Sequence, residues 1–149
     1  MLLDRSQSLL LVVDVQERLA PAMAEGDKVV ERVDLLLEAA RRLDVPVIAS
    51  EQYPKGLGHT LPQLRPHLEG AKVLAKTAFS CAADPALASA VRESGRRQAV
   101  VCGMETHVCV LQTALGLKEA GVEVAVVADA VGSRHPERKA LALERLRAN

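Results

Sequence analysis

Five short apolar runs alternate with amphipathic stretches along this chain. Leu9–Val13 is uninterrupted, as a strand buried on both faces requires. From Val29 to Leu43 apolar residues fall at 29, 30, 33, 36, 37, 40 and 43, with charges between them. That spacing predicts a helix with one buried face. Residues 45–49 form a second strand, with Pro46 near its start, where a missing N–H is tolerated. Further strands are predicted over 71–75, 98–102 and 122–128. Asp84-Pro85 reads as an N-cap with proline at the first helical position, opening a helix that closes at Gly95. Thr106 to Ala120, closed by Gly121, and Pro136 to Arg147 are the remaining helices. Residues 51–70 hold three prolines and several glycines, and read as a long irregular loop with at most a short helical turn. Strands alternating with helices at this spacing predict a single domain over 1–149. Its fold class is α/β, a three-layer α/β/α Rossmann-like sandwich with a parallel sheet.

Composition narrows what such a domain does. Its 19 basic and 19 acidic side chains give a formal net charge of +0. With one Phe, one Tyr and no Trp, the chain has neither the charge nor the stacking surfaces that nucleic acid or an anionic membrane would call for. No apolar run approaches the roughly 20 residues of a bilayer span, and the first residues do not form a secretory signal. Three cysteines do not suggest a disulfide framework. The expected setting is reducing and cytoplasmic. The phosphate-binding glycine motifs are absent, as are Gly-x-Ser-x-Gly and the common zinc spacings. His59 and His67 share the long loop and keep a weak metal option open.

In open α/β sheets ligands gather beyond the carboxyl ends of the strands. Asp14 ends the first strand, Lys76 the third, and Cys109 lies just past the fourth, at a helix start. Taken singly, Asp14 and Lys76 are also what ordinary strand ends look like. In an α-helix from Thr106, Val110, Leu111, Ala114 and Leu115 form the apolar face, and Cys109 falls roughly 100° off its centre. A first helical turn and a nearby ammonium would both favour a thiolate there. Spacing alone leaves this reading level with a small packing residue. Cys102, inside a strand, reads as an inert buried hydrophobe, and Cys81 as a loop cysteine.

Val12-Val-Asp-Val-Gln16, Lys76-Thr-Ala-Phe-Ser80 and Gly103-Met-Glu-Thr-His-Val-Cys-Val-Leu-Gln-Thr113 together resemble the three signatures of the isochorismatase-like cysteine hydrolases, in the family's order. The resemblance covers nearly the whole chain. It implies a catalytic triad of Asp14, Lys76 and Cys109, and a cis peptide bond between Met104 and Glu105. It also implies an oxyanion hole from the backbone N–H groups of Glu105 and Cys109, no cofactor, and no metal. Gln16 and Phe79 would help to line the substrate pocket, and homo-oligomers are expected. Nicotinamidases of this family bind metal through Asp-x-His after the second strand; here the stretch reads Ser50-Glu-Gln-Tyr-Pro-Lys-Gly-Leu-Gly-His59, so a nicotinamidase is disfavoured. The family usually has six strands, and the resemblance implies one more strand and helix than are visible up to Asn149. Isochorismate itself is not the expected substrate. The expected activity is hydrolysis of a small amide or related acyl compound through a covalent acyl-enzyme. The alternative is a catalytically idle oligomeric scaffold retaining the fold.

Overall fold

A computed structural model describes all residues from Met1 to Asn149. The apolar runs become β1 (Ser8–Val13), β2 (Val47–Gln52), β3 (Lys72–Lys76), β4 (Gln98–Met104) and β5 (Glu123–Gly132). They pair in the order β3-β2-β1-β4-β5, and every pairing is parallel. The helices are α1 (Gly26–Arg42), the short α2 (Pro54–Leu57), α3 (Pro85–Glu93), α4 (Leu111–Glu119) and α5 (Pro136–Arg147).

Period-two alternation in β1 builds two cores, one on each face of the sheet. Leu10 and Val12 join Val29, Val33 and Leu37 of α1 on one side. Leu9, Leu11 and Val13 join Leu87 and Val91 of α3 and Leu117 of α4 on the other. The expected three-layer sandwich is therefore observed. The strand order reverses direction between β1 and β4, so the carboxyl ends of these two strands border the crevice where such sheets bind ligands.

Several boundaries differ from the sequence reading. The 51–70 segment is not structureless: β2 runs on to Gln52, α2 follows, and Arg65–Leu68 forms a 3-10 turn. The segment is also fastened to the loop after β1. Arg18 donates to the Gly56 carbonyl at 2.8 Å, and Gln16 and Thr60 form an isolated antiparallel bridge. β5 extends past Ala128 to Gly132, because a register shift beyond Val101 lets β4 pair again with Val131 and Gly132.

Gly103 fixes the approach of β1 to β4. Its φ is +119°, and a Cβ there would lie 2.0 Å from the Val13 carbonyl oxygen. Gly103→Ala meets both a strained backbone and a backbone clash, and is expected to cost roughly 4 kcal/mol or more. Denaturant unfolding of the variant measures this. A change below about 1 kcal/mol would show that the strands separate without penalty.

Candidate active site

Asp14 follows β1 directly and takes a left-handed conformation, φ +52°, that non-glycine residues seldom adopt. This turn carries its carboxylate beneath the end of the sheet, where the residue is fully buried. Lys76, the last residue of β3, reaches across β2 to meet it. The Lys76 Nζ–Asp14 Oδ2 distance is 2.8 Å, and neither side chain has any solvent exposure. Lys76 also donates to Gln52 Oε1 at 2.6 Å and to the Phe79 carbonyl at 2.9 Å, with the Ala78 carbonyl at 3.2 Å. An ammonium has three protons, so this one is fully satisfied without water. The other carboxylate oxygen, Asp14 Oδ1, accepts a hydrogen bond from the Ser50 hydroxyl at 2.7 Å.

Cys109, in the turn after β4, stands next to Asp14. Thr106–Val110 is a π-helical turn, and the regular helix begins only at Leu111. The α-helical phase that set Cys109 off the apolar face therefore does not apply. The thiol is 5% exposed and belongs to the core on the α3–α4 face. The surroundings that would favour a thiolate are only partly present. Burial first and the negative charge of Asp14 second push the Cys109 thiol up to about 12, and Lys76 only partly opposes this. Asp14 and Lys76 already cancel in charge, so a thiolate beside them would leave a net buried negative charge. This environment favours a neutral thiol, which needs a base to react.

The turn before Cys109 is held from outside. Its Met104–Glu105 peptide bond is cis. The Glu105 carboxylate accepts from the Arg134 N–H at 3.1 Å, and His107 Nδ1 lies 2.9 Å from the Ser133 hydroxyl. The Glu105 N–H itself finds no acceptor within the protein. An unspent backbone donor next to a nucleophile-type side chain is the element of an oxyanion hole.

Not every sequence-predicted residue converges here. Gln16 is fully buried and its amide is spent on the backbone. Nε2 donates to the carbonyls of Gln52 and Gly58 at 2.9 and 2.7 Å, and Oε1 accepts from the Gln52 N–H at 2.7 Å. It clamps β2 to the following loop and has no group left for a ligand. Phe79 has an exposed ring while its carbonyl serves Lys76. His59 and His67 separate: the first meets Glu51 at 3.1 Å, the second Asp34 at 3.0 Å. Nowhere do three or more His, Cys, Asp or Glu side chains gather as a metal site would need.

Sequence reasoning missed three residues. Gln52 and Ser50 hold Lys76 and Asp14. Cys81, read as a loop cysteine, is 1% exposed, and its N–H donates to Thr113 Oγ1 at 2.9 Å, four residues along from Cys109. Gly116 makes room for this loop, since a Cβ there would meet Ala82 at 2.9 Å. One signal was available for Ser50: parallel pairing places it opposite Val13, immediately before Asp14.

A parallel sheet in this order, with a carboxylate, an ammonium and a thiol gathered at its carboxyl ends, defines the class of isochorismatase-like α/β hydrolases. Residues 8–149 match the isochorismatase domain, and the chain belongs to that family. It is 41% identical over 145 residues to isochorismatase domain-containing protein 2 of Danio rerio, covering 97% of this chain and 73% of that protein. Across relatives named in this way the chain spans from 47% to 73% of their length. Among solved structures, the MAR1 ribonuclease of Caenorhabditis elegans is 37% identical with a TM-score of 0.92, over 98% of this chain and 75% of that one. YcaC of Escherichia coli, an octameric hydrolase of unknown specificity, is 28% identical with a TM-score of 0.93, over 98% and 74%. The same figures hold for YcaC of Pseudomonas aeruginosa, solved with hexane-2,5-diol and covalent acrylamide. No helix of this chain is long and apolar enough to cross a membrane.

Proposed function

We propose that this member of a hydrolase family cleaves a small amide or related acyl compound through a covalent Cys109 acyl-enzyme. The observation that carries this reading is the buried meeting of Asp14, Lys76 and Cys109 beside the unspent Glu105 N–H.

A neutral thiol next to a carboxylate attacks only as its proton leaves, so Asp14 is the general base. Lys76 holds the carboxylate in place and offsets the negative charge that forms. Sulfur attacks the carbonyl carbon, and the oxyanion is received by the N–H groups of Glu105 and Cys109, where one donor is worth on the order of 100-fold in rate. Asp14, now protonated, gives its proton to the leaving amine as the C–N bond breaks. The carboxylate then takes a proton from water, which attacks the thioester and releases the acid and the thiol. The sequence closes without a cofactor. The covalent acrylamide in the Pseudomonas YcaC structure supports a nucleophile in this fold. The octameric YcaC supports homo-oligomers here too. The MAR1 name brings RNA into view, but a net charge of +0 supplies little of the electrostatic attraction on which RNA binding rests.

The near-complete burial of Cys109 favours one competing reading, an idle scaffold that keeps the fold. A panel of small aliphatic and aromatic amides, assayed for amine or ammonia release, separates the two. Wild-type protein is expected to turn over at least one class, and Cys109→Ala to lose it by about 10⁴-fold or more while staying folded. Equal rates in the two proteins, or no turnover of any amide, would leave the scaffold.

A further inference from the structure

We propose that Ser50 is a positioning residue for Asp14, fixing the carboxylate so that its free lone pairs serve Cys109; this rests on the reading of Cys109 as nucleophile. A carboxylate on a single anchor can swing about its terminal torsion, which is broad and roughly two-fold. Lys76 anchors only Oδ2. Ser50 supplies the second anchor, its hydroxyl donating to Oδ1 at 2.7 Å, and it is 1% exposed. With both oxygens tied, the carboxylate plane is set by β2 and β3 together rather than by β1.

The direction of the bond matters. A carboxylate only accepts, so the one Ser50 proton must point to Asp14. Cys81, buried in the same region, is the other thiol within reach of Ser50 and of the Asp14 charge. Every group facing the carboxylate is thereby assigned. Lys76 from β3 and Ser50 from β2 donate to it, Cys109 from the π-helical turn is the thiol it deprotonates, and Cys81 from the loop after β3 lies near Ser50 as a thiol that burial raises above its ordinary value.

A hydroxyl donating to a carboxylate stabilises the charged form. Without it the carboxylate keeps a single anchor, and its plane is freed. Iodoacetamide is the probe. Alkylation of Cys109 is followed by peptide mass spectrometry as a function of pH in wild type, Ser50→Ala, Ser50→Thr and Asp14→Asn, with circular dichroism defining the range in which each stays folded. Ser50→Ala is expected to slow Cys109 alkylation by roughly tenfold at neutral pH, as losing one buried hydrogen bond to the base would do. Ser50→Thr, which keeps a hydroxyl, should return it toward wild type. A purely structural serine would lower the melting temperature and leave the alkylation rate of the folded protein in place, and a Ser50→Ala profile superimposed on wild type overturns the proposal. The parent reading fails differently: Cys109 of wild type would then react no faster than Cys102, and Asp14→Asn would leave its profile unchanged.

Discussion

Lys76→Met is expected to destabilise the protein by about 3–5 kcal/mol, the usual cost of stripping one partner from a buried ion pair. The side chains of Lys76 and Asp14 have no exposure, so no solvated surface replaces the ammonium at Asp14. Gln52 Oε1 and two main-chain carbonyls lose their donor at the same time. For a domain of this length the loss corresponds to a fall in melting temperature of about 10 °C. The double variant Lys76→Met/Asp14→Asn should be more stable than Lys76→Met alone, because it removes the stranded charge as well. Thermal melts of the single variants and the pair measure this coupling. Additive losses would mean that the two charges do not depend on each other.

Asp14→Asn separates thiol reactivity from turnover. Burial and the Asp14 charge together hold the Cys109 thiol near 12. Asparagine takes no proton, so at neutral pH alkylation of Cys109 should slow, and it should recover at high pH, where the thiol ionises without a base and Lys76 is the nearest ion. Hydrolysis should nevertheless fall by about 10² to 10⁴-fold, since asparagine neither takes the thiol proton nor returns it to the leaving amine. Parallel measurement of iodoacetamide labelling and amide turnover tests this. If alkylation does not recover at high pH, Asp14 acts by holding the site's shape; if turnover survives, another group is the base.

Much of this arrangement is legible in the sequence where burial is continuous. Leu9–Val13 has no polar interruption, and it became the central strand; α5 begins at Pro136 and ends at Arg147, as its proline start and amphipathic pattern indicate. The ends of elements were harder to read. Asp129 resembles a strand end, but β5 continues through it because the register shift opposite β4 restores pairing at Val131. Local periodicity cannot register a pairing that depends on a partner strand. The same limit explains the candidate site. Asp14 and Lys76 could be placed because strand ends are visible, whereas Ser50 matters only through its position opposite Val13. Cys109 was singled out by an α-helical phase, but the turn that carries it is π-helical, so that geometric support is withdrawn and its place rests on its meeting with Asp14. Gln16 and Cys81 changed places in importance. The glutamine adjoining the aspartate is consumed by the backbone, while the cysteine assigned to a loop is packed into the core beside Ser50.

The most direct test of the account is where an acyl group settles. Wild-type protein mixed with a turned-over amide, quenched in acid within the first turnovers and mapped by peptide mass spectrometry, should carry the acyl mass on Cys109, and hydroxylamine should remove it. Adduct on Cys81, or steady turnover with no adduct and undiminished activity in Cys109→Ala, would contradict it.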